Sequence, residues 1–114
     1  MAPLARLPRR ADFVRVAAGR RKWVTPGLVL QACPGPGSPE VRVGFTASRK
    51  VGNAVARNRA RRRLRAVSAA VMAVHAREGQ DYVLIARPGT LTRRYQELIE
   101  DLEESLKQLG FYHA

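Results

Sequence analysis

The chain has 114 residues, 46% of them hydrophobic, which suits one domain around one modest core and argues against wholesale disorder. Its 21 Lys and Arg against 9 Asp and Glu give a formal net charge of +12, a balance that points to nucleic acid ahead of an anionic membrane. No run approaches the roughly 20 apolar residues of a membrane span, MAPLARLPRR lacks the apolar centre of a secretory signal, and the single Cys33 permits neither an internal disulfide nor a zinc cluster; a soluble cytoplasmic protein is expected.

Residues 1–10 combine Pro3 and Pro8 with Arg6, Arg9 and Arg10 and carry no periodic pattern, so they are expected to be a flexible basic arm preceding a single RNA-binding domain, 11–114. Ala11 to Ala18 predicts a two-turn helix that brings Phe13, Val14 and Ala17 near one another. A basic patch, Arg20, Arg21 and Lys22, leads through Trp23 to a turn at Pro26 and Gly27. Leu28 to Cys33 alternates as a strand, PGPGSP is a loop, and Val41 to Ala47 is a second strand, antiparallel to the first, with Val41, Val43 and Phe45 on one face.

Gly52 and Asn53 then read as a turn and helix N-cap, and no Pro or Gly interrupts the chain from there to about Arg77, with Gly79 as the stop. Ala60, Leu64, Val67, Val71 and Val74 form an apolar stripe on this helix. Arg57, Arg61 and Arg65 rise as a row on another side, with Asn58 and Arg62 alongside. Like-charge neighbours on the helix cost together about 1 to 2.5 kcal/mol, which burial of the stripe outweighs at about 1.5 to 3 kcal/mol for each large side chain. One helix therefore faces both a core and an anion.

Beyond a connector at Glu78 to Asp81, Tyr82 to Ala86 is the apolar run of a buried central strand. Arg87, Pro88, Gly89 and Thr90 break it. The last helix runs from Leu91 or Thr92 to Leu109, with Leu91, Tyr95, Leu98, Leu102, Leu106 and Leu109 inward and Gly110 at its end. The order α, β, β, α, β, α predicts an α+β fold: a small sheet with a βαβ crossover, packed with two long helices and a short N-terminal one.

The stretch that organises the rest is SRKVGNAVARNRARRRLR, Ser48 to Arg65, which holds eight cations and no carboxylate. Five acids lie between Glu97 and Glu104, and pairing all five with it would still leave three cations unmatched. All but Lys22, Lys50 and Lys107 of the basic residues are arginine, whose planar fork grips phosphate bidentately. Protein catalysis is not indicated. His75 and His113 have no sequence-local acid or nucleophile, and there is no phosphate-binding Gly-rich loop.

SRKVGNAVARNRARRRLR closely resembles the signature of the protein subunit of bacterial ribonuclease P. Arg57, Asn58 and Arg59 match its RNR core, Arg62 and Arg65 match later arginines, and Arg61 replaces a lysine. Ser48, Lys50, Gly52, Ala54 and Val55 match the lead-in, with Arg49 in place of a second lysine. Asp12 and Phe13, Val41 to Phe45, and Asp81 to Arg87 fall where the family has similar segments.

The resemblance implies a left-handed crossover, against the right-handed general rule. It implies a ribonucleoprotein in which a catalytic RNA with Mg²⁺ removes the 5′ leader of precursor tRNA and the protein, holding no metal and no catalytic residue, assists. By the same resemblance Arg49, Lys50, Asn53, Arg57, Asn58, Arg59, Arg61, Arg62 and Arg65 would bind the catalytic RNA. Phe13, Gln31, Val43 and Phe45 would line a cleft for the leader. Ala17 and Gln31 stand where the family commonly has aromatics. The rival readings are a ribosomal-type or chaperone-like RNA-binding protein and a DNA-binding protein with the basic helix in a major groove.

Overall fold

A computed structural model describes residues 4–114. In chain order the elements are β1 (Leu4–Arg6), α1 (Arg10–Ala18), β2 (Arg21–Val24), β3 (Leu28–Pro34), β4 (Val41–Thr46), α2 (Ala54–His75), β5 (Gln80–Ala86), α3 (Pro88–Thr92) and α4 (Tyr95–Leu109). The five strands form one sheet in the order β1-β4-β5-β3-β2. β4 runs parallel to both β1 and β5, while β3 is antiparallel to β5 and to β2. The expected βαβ crossover is β4–α2–β5, joining adjacent parallel strands.

The pleat sends alternate side chains to opposite faces, and each face is covered by different helices. Leu28, Leu30, Val41, Val43, Tyr82 and Leu84 point to α2 and α4 and build the main core with Leu64, Val67, Leu98 and Leu102. On the other face α1 covers a smaller cluster, in which Val16 packs with Leu7, Cys33 and Val83. A strip of that face therefore stays open beside α1.

α2 starts where the sequence places it. Gly52 takes φ +145°, and the Asn53 side-chain oxygen accepts the Ala56 N–H at 2.9 Å. Ala60, Leu64, Val67 and Val71 are buried as expected, but Val74 is 51% exposed and Met72 is buried instead. The stripe rotates around the helix in its last turns, towards the C-terminal tail. α2 ends at His75, and the tail folds back onto it: Arg77 N–H donates to Phe111 O at 2.9 Å, and the His75 ring stacks on Tyr112 with centroids 4.6 Å apart. Gly110, at φ +81°, ends α4 as expected.

Several expectations are corrected. Residues 1–3 of the proposed arm lie outside the described residues, but Leu4–Arg6 pairs with Val41–Val43 as an edge strand, so the arm is not wholly free. Arg21 and Lys22 of the basic patch after α1 belong to a strand, β2, paired with β3, and Arg20 stands just before it at φ +58°. The two expected strands, β3 and β4, run antiparallel but do not pair, because β5 lies between them. The anticipated break at Arg87 to Thr90 contains a short helix: Thr90 Oγ1 accepts the Arg87 N–H at 2.9 Å, with Pro88 in the first turn. Tyr95 is half-exposed, and its hydroxyl donates to Ala66 O of α2 at 3.3 Å.

Candidate nucleic-acid interface

Arg57, Arg61 and Arg65 recur every four residues along α2, which at about 1.5 Å rise per residue spaces them about 6 Å apart. Arg61 donates to the Asn58 side-chain oxygen at 2.5 Å, so the two side chains orient each other. The Arg65 guanidinium lies over the Phe45 ring, 5.6 Å from its centroid. Arg59 and Arg62 are exposed, as are Arg49 and Lys50 in the turn before the helix. Among the described residues none of these seven cations is in an ion pair with a carboxylate. Asn53 stands at the head of the row, but its side-chain oxygen is engaged in the helix cap.

Four other arginines, Arg15, Arg42, Arg63 and Arg93, are engaged by groups of the protein itself. Arg63 projects from the opposite side of α2 and donates to Leu91 O at 2.9 Å and to Arg93 O, satisfying carbonyls at the end of α3. Arg93 pairs with buried Asp101 at 2.7 Å. Beneath α1, Arg42 of β4 forms a fork on Asp81, with contacts of 2.9 and 2.8 Å, and Arg15 of α1 donates to the same carboxylate. Asp12 accepts from Arg42 at 3.2 Å. Burial pushes the Asp81 carboxyl up, but the hydrogen bonds and charges of Arg42 and Arg15 outweigh it and hold it below the usual carboxylate range. The Asp81 hydrogen bond raises both guanidiniums in turn. Arg15 also donates to Cys33 Sγ at 2.8 Å, and burial nevertheless pushes that thiol up, away from nucleophilic character.

The cleft residues divide between two faces. Gln31 sits in register with Lys22 and Val83, on the α1 side of the sheet. Phe13 leans over Gly44 on the same side, so closely that a Cβ at Gly44 would stand 2.4 Å from the ring. Val43 and Phe45 belong to the other face, one pleat out of step with Gly44. Val43 is buried in the main core, and Phe45 packs against it beside Arg65. These two are corrected as members of a cleft floor shared with Gln31. Phe45 still reaches the rim, where it and Phe13 border an open depression with Arg10, Val14, Ala17 and Thr46.

Register adds residues that sequence reasoning missed. Lys22, Val29, Ile85 and Thr46 share the open face with Gln31. For Thr46 the signal was available: once Val41, Val43 and Phe45 are assigned inward, Arg42, Gly44 and Thr46 must point the other way. Among the described residues no three His, Cys, Asp or Glu side chains group to hold a metal, and no helix is long and apolar enough to cross a membrane.

The Ribonuclease P family model matches residues 1–110. The ribonuclease P protein component of Paramagnetospirillum magneticum is 57% identical over 113 residues, covering 96% of this chain and 85% of that one. The ribonuclease P protein component of Gluconacetobacter diazotrophicus is 48% identical over 105 residues, covering 92% and 90%. Among solved structures, the Staphylococcus aureus RNase P protein superposes with a TM-score of 0.78 at 26% identity, covering 95% of this chain and 97% of that one. The Thermotoga maritima RNase P protein gives a TM-score of 0.74 at 25% identity, covering 91% and 94%.

Proposed function

This chain belongs to the ribonuclease P protein family, as the protein component of an endoribonuclease, and we propose that it works by gripping the RNA subunit with one side of α2 while α1 and the open sheet face hold the 5′ leader of precursor tRNA. Arg57, Arg61, Arg62 and Arg65 contact phosphates of the catalytic RNA, with Arg49, Lys50 and Arg59 flanking them. Asn58 orients Arg61, and Asn53 sets where the row begins by capping the helix. In this reading bond cleavage, with its Mg²⁺, is carried out by the RNA in the cytoplasm, and the protein supplies grip and position.

The observation that carries the docking surface is a difference in use. Arginines facing the interior have carboxylate or carbonyl partners, and the row on α2 has no carboxylate partner among the described residues. Guanidiniums left without internal acids are available to phosphate. For the leader, Phe13 offers one stacking surface, and Gln31, Lys22 and Thr46 offer polar contacts where further aromatics would otherwise stack bases at about 1 to 3 kcal/mol each.

The test is cleavage of a precursor tRNA by a bacterial ribonuclease P RNA at low Mg²⁺, with and without the protein. Strong stimulation, with no cleavage by the protein alone, is expected. Tight RNA binding without stimulation would reduce the role to general RNA binding.

A further inference from the structure

A cavity of about 160 Å³ opens between β1, β4 and α2, bordered by Arg6, Val43, Phe45, Arg65, Ser68 and Ala69. It continues the basic side of α2: Ser68 and Ala69 lie three and four residues beyond Arg65, one helical turn along the same flank. Ser68 is 2% exposed, and among the described residues its hydroxyl has no hydrogen-bond partner. A serine buried in a helix ordinarily resolves this by bonding back to its own backbone. Ser105 of α4 does so, donating to Asp101 O at 2.7 Å. Ser68 does not, and an unmatched buried hydroxyl calls for a ligand or another explanation.

The surroundings identify the ligand's chemistry. The walls are mainly apolar and Ser68 is among the residues that line them, its hydroxyl closed to solvent in this rotamer; a flat ring with a hydrogen-bonding edge suits them once a turn about the Ser68 χ1 brings the hydroxyl to the cavity. A protein cavity of about 150 Å³ accepts one benzene-sized ring, so the space matches a single six-membered ring more closely than a fused pair. Phe45 and the Arg65 guanidinium stand at the lip, both of them surfaces on which bases stack. Arg6 places a second cation beside the opening.

Building on the docking role of α2, we propose that this cavity receives one unpaired pyrimidine of the RNA subunit, extruded beside the phosphates gripped by Arg61 and Arg65, with Ser68 hydrogen-bonded to its edge. The site would give the docking surface base recognition that phosphate contacts lack. It opens on the α2 side of β4 and meets the depression beside Phe13 only at their shared rim residue, Phe45.

The test uses the full-length protein, a bacterial ribonuclease P RNA, and affinity measured across salt concentrations. Ser68→Ala is expected to weaken binding about threefold to tenfold, with an unchanged salt slope because no phosphate contact is lost. Its thermal stability should not fall, since an unmatched hydroxyl is removed. Ser68→Leu, which fills the cavity, should abolish protection of a single pyrimidine in base footprinting and leave backbone protections in place. The proposal is overturned if Ser68→Ala binds as tightly as the wild type, if its slope changes, or if the protected base is a purine or stays protected with Ser68→Leu. Were the wild type to show no salt-dependent RNA binding, the docking role itself would fall and the pocket with it. A reduced slope for an Arg57/Arg61 double variant beside an inert Ser68→Ala would remove the pocket alone.

Discussion

Two groups of arginines in this molecule carry the same side chain to opposite ends. Beneath α1, Arg15 and Arg42 close on Asp81, which is 0% exposed, and tie β4 and β5 to the helix above them. On α2, Arg57, Arg61 and Arg65 stand in a row with no carboxylate opposite. The first group is nearly self-neutral, because Asp12 and Asp81 balance the two guanidiniums. The second is uncompensated, and five further cations within Ser48 to Arg65 add to its field. Net charge alone cannot tell such groups apart; what separates them is whether a buried acid has been placed within reach.

The comparison breaks most visibly at Asp81. Replacing it with Asn leaves two guanidiniums without their shared acid, and unfolding in urea should show a loss of about 3 kcal/mol or more. The salt slope of RNA binding should not change. Asp81 also sets an acid limit. Its native carboxyl is held below its unfolded value of about 3.9, so its contribution is fully present above that pH and is lost as pH falls through the depressed native value. Acid titration of wild-type stability should therefore be steeper than that of Asp81→Asn below about pH 4.

The α2 row should behave in reverse. Arg57→Ala with Arg61→Ala is expected to flatten the plot of log affinity against log salt by about 0.7 to 0.9 for each lost contact. Stability should stay level or rise by a few tenths of a kcal/mol, since about 0.2 to 0.5 kcal/mol of like-charge repulsion is relieved per pair. Arg63 sharpens the contrast from within the same helix. Arg63→Ala should cost about 1 to 2 kcal/mol in unfolding, through the carbonyls left at the end of α3, and leave the salt slope alone. The smallest effect belongs to Val74→Ala, half-exposed despite its place in the apparent stripe, at about 0.5 kcal/mol or less.

Val74 also marks where the sequence stops being legible. The start of α2, its cap at Asn53 and its buried face as far as Val71 follow from local chemistry: an amide oxygen for an orphan N–H, a run free of Pro and Gly, and apolar spacing near 3.6. The turn of the stripe towards Met72 depends on the tail from Phe111 onward, which no local pattern reports. β2 was missed because an edge strand exposed on both faces, Arg21–Val24, has no apolar alternation to read. That β5 is a central strand follows from its apolar run, but its insertion between β3 and β4 in particular is a long-range choice that strand-by-strand periodicity does not encode. The row of α2 cations was visible because it is contiguous, while the division of Phe13 and Gln31 from Val43 and Phe45 became visible only with the pleat.

The fastening of the C-terminal tail bears on the entropy of recognition. Ala76 and Tyr112 form a backbone bridge, His113 N–H donates to His75 O at 2.6 Å, and Lys107 lies over the Tyr112 ring. At its other end α2 is seated by the Asn53 cap and by Val51, buried in the core. A helix held at both ends meets its partner as a rod already cut to length. Little backbone freedom is left for association to remove, so a larger share of each guanidinium–phosphate contact survives as net affinity.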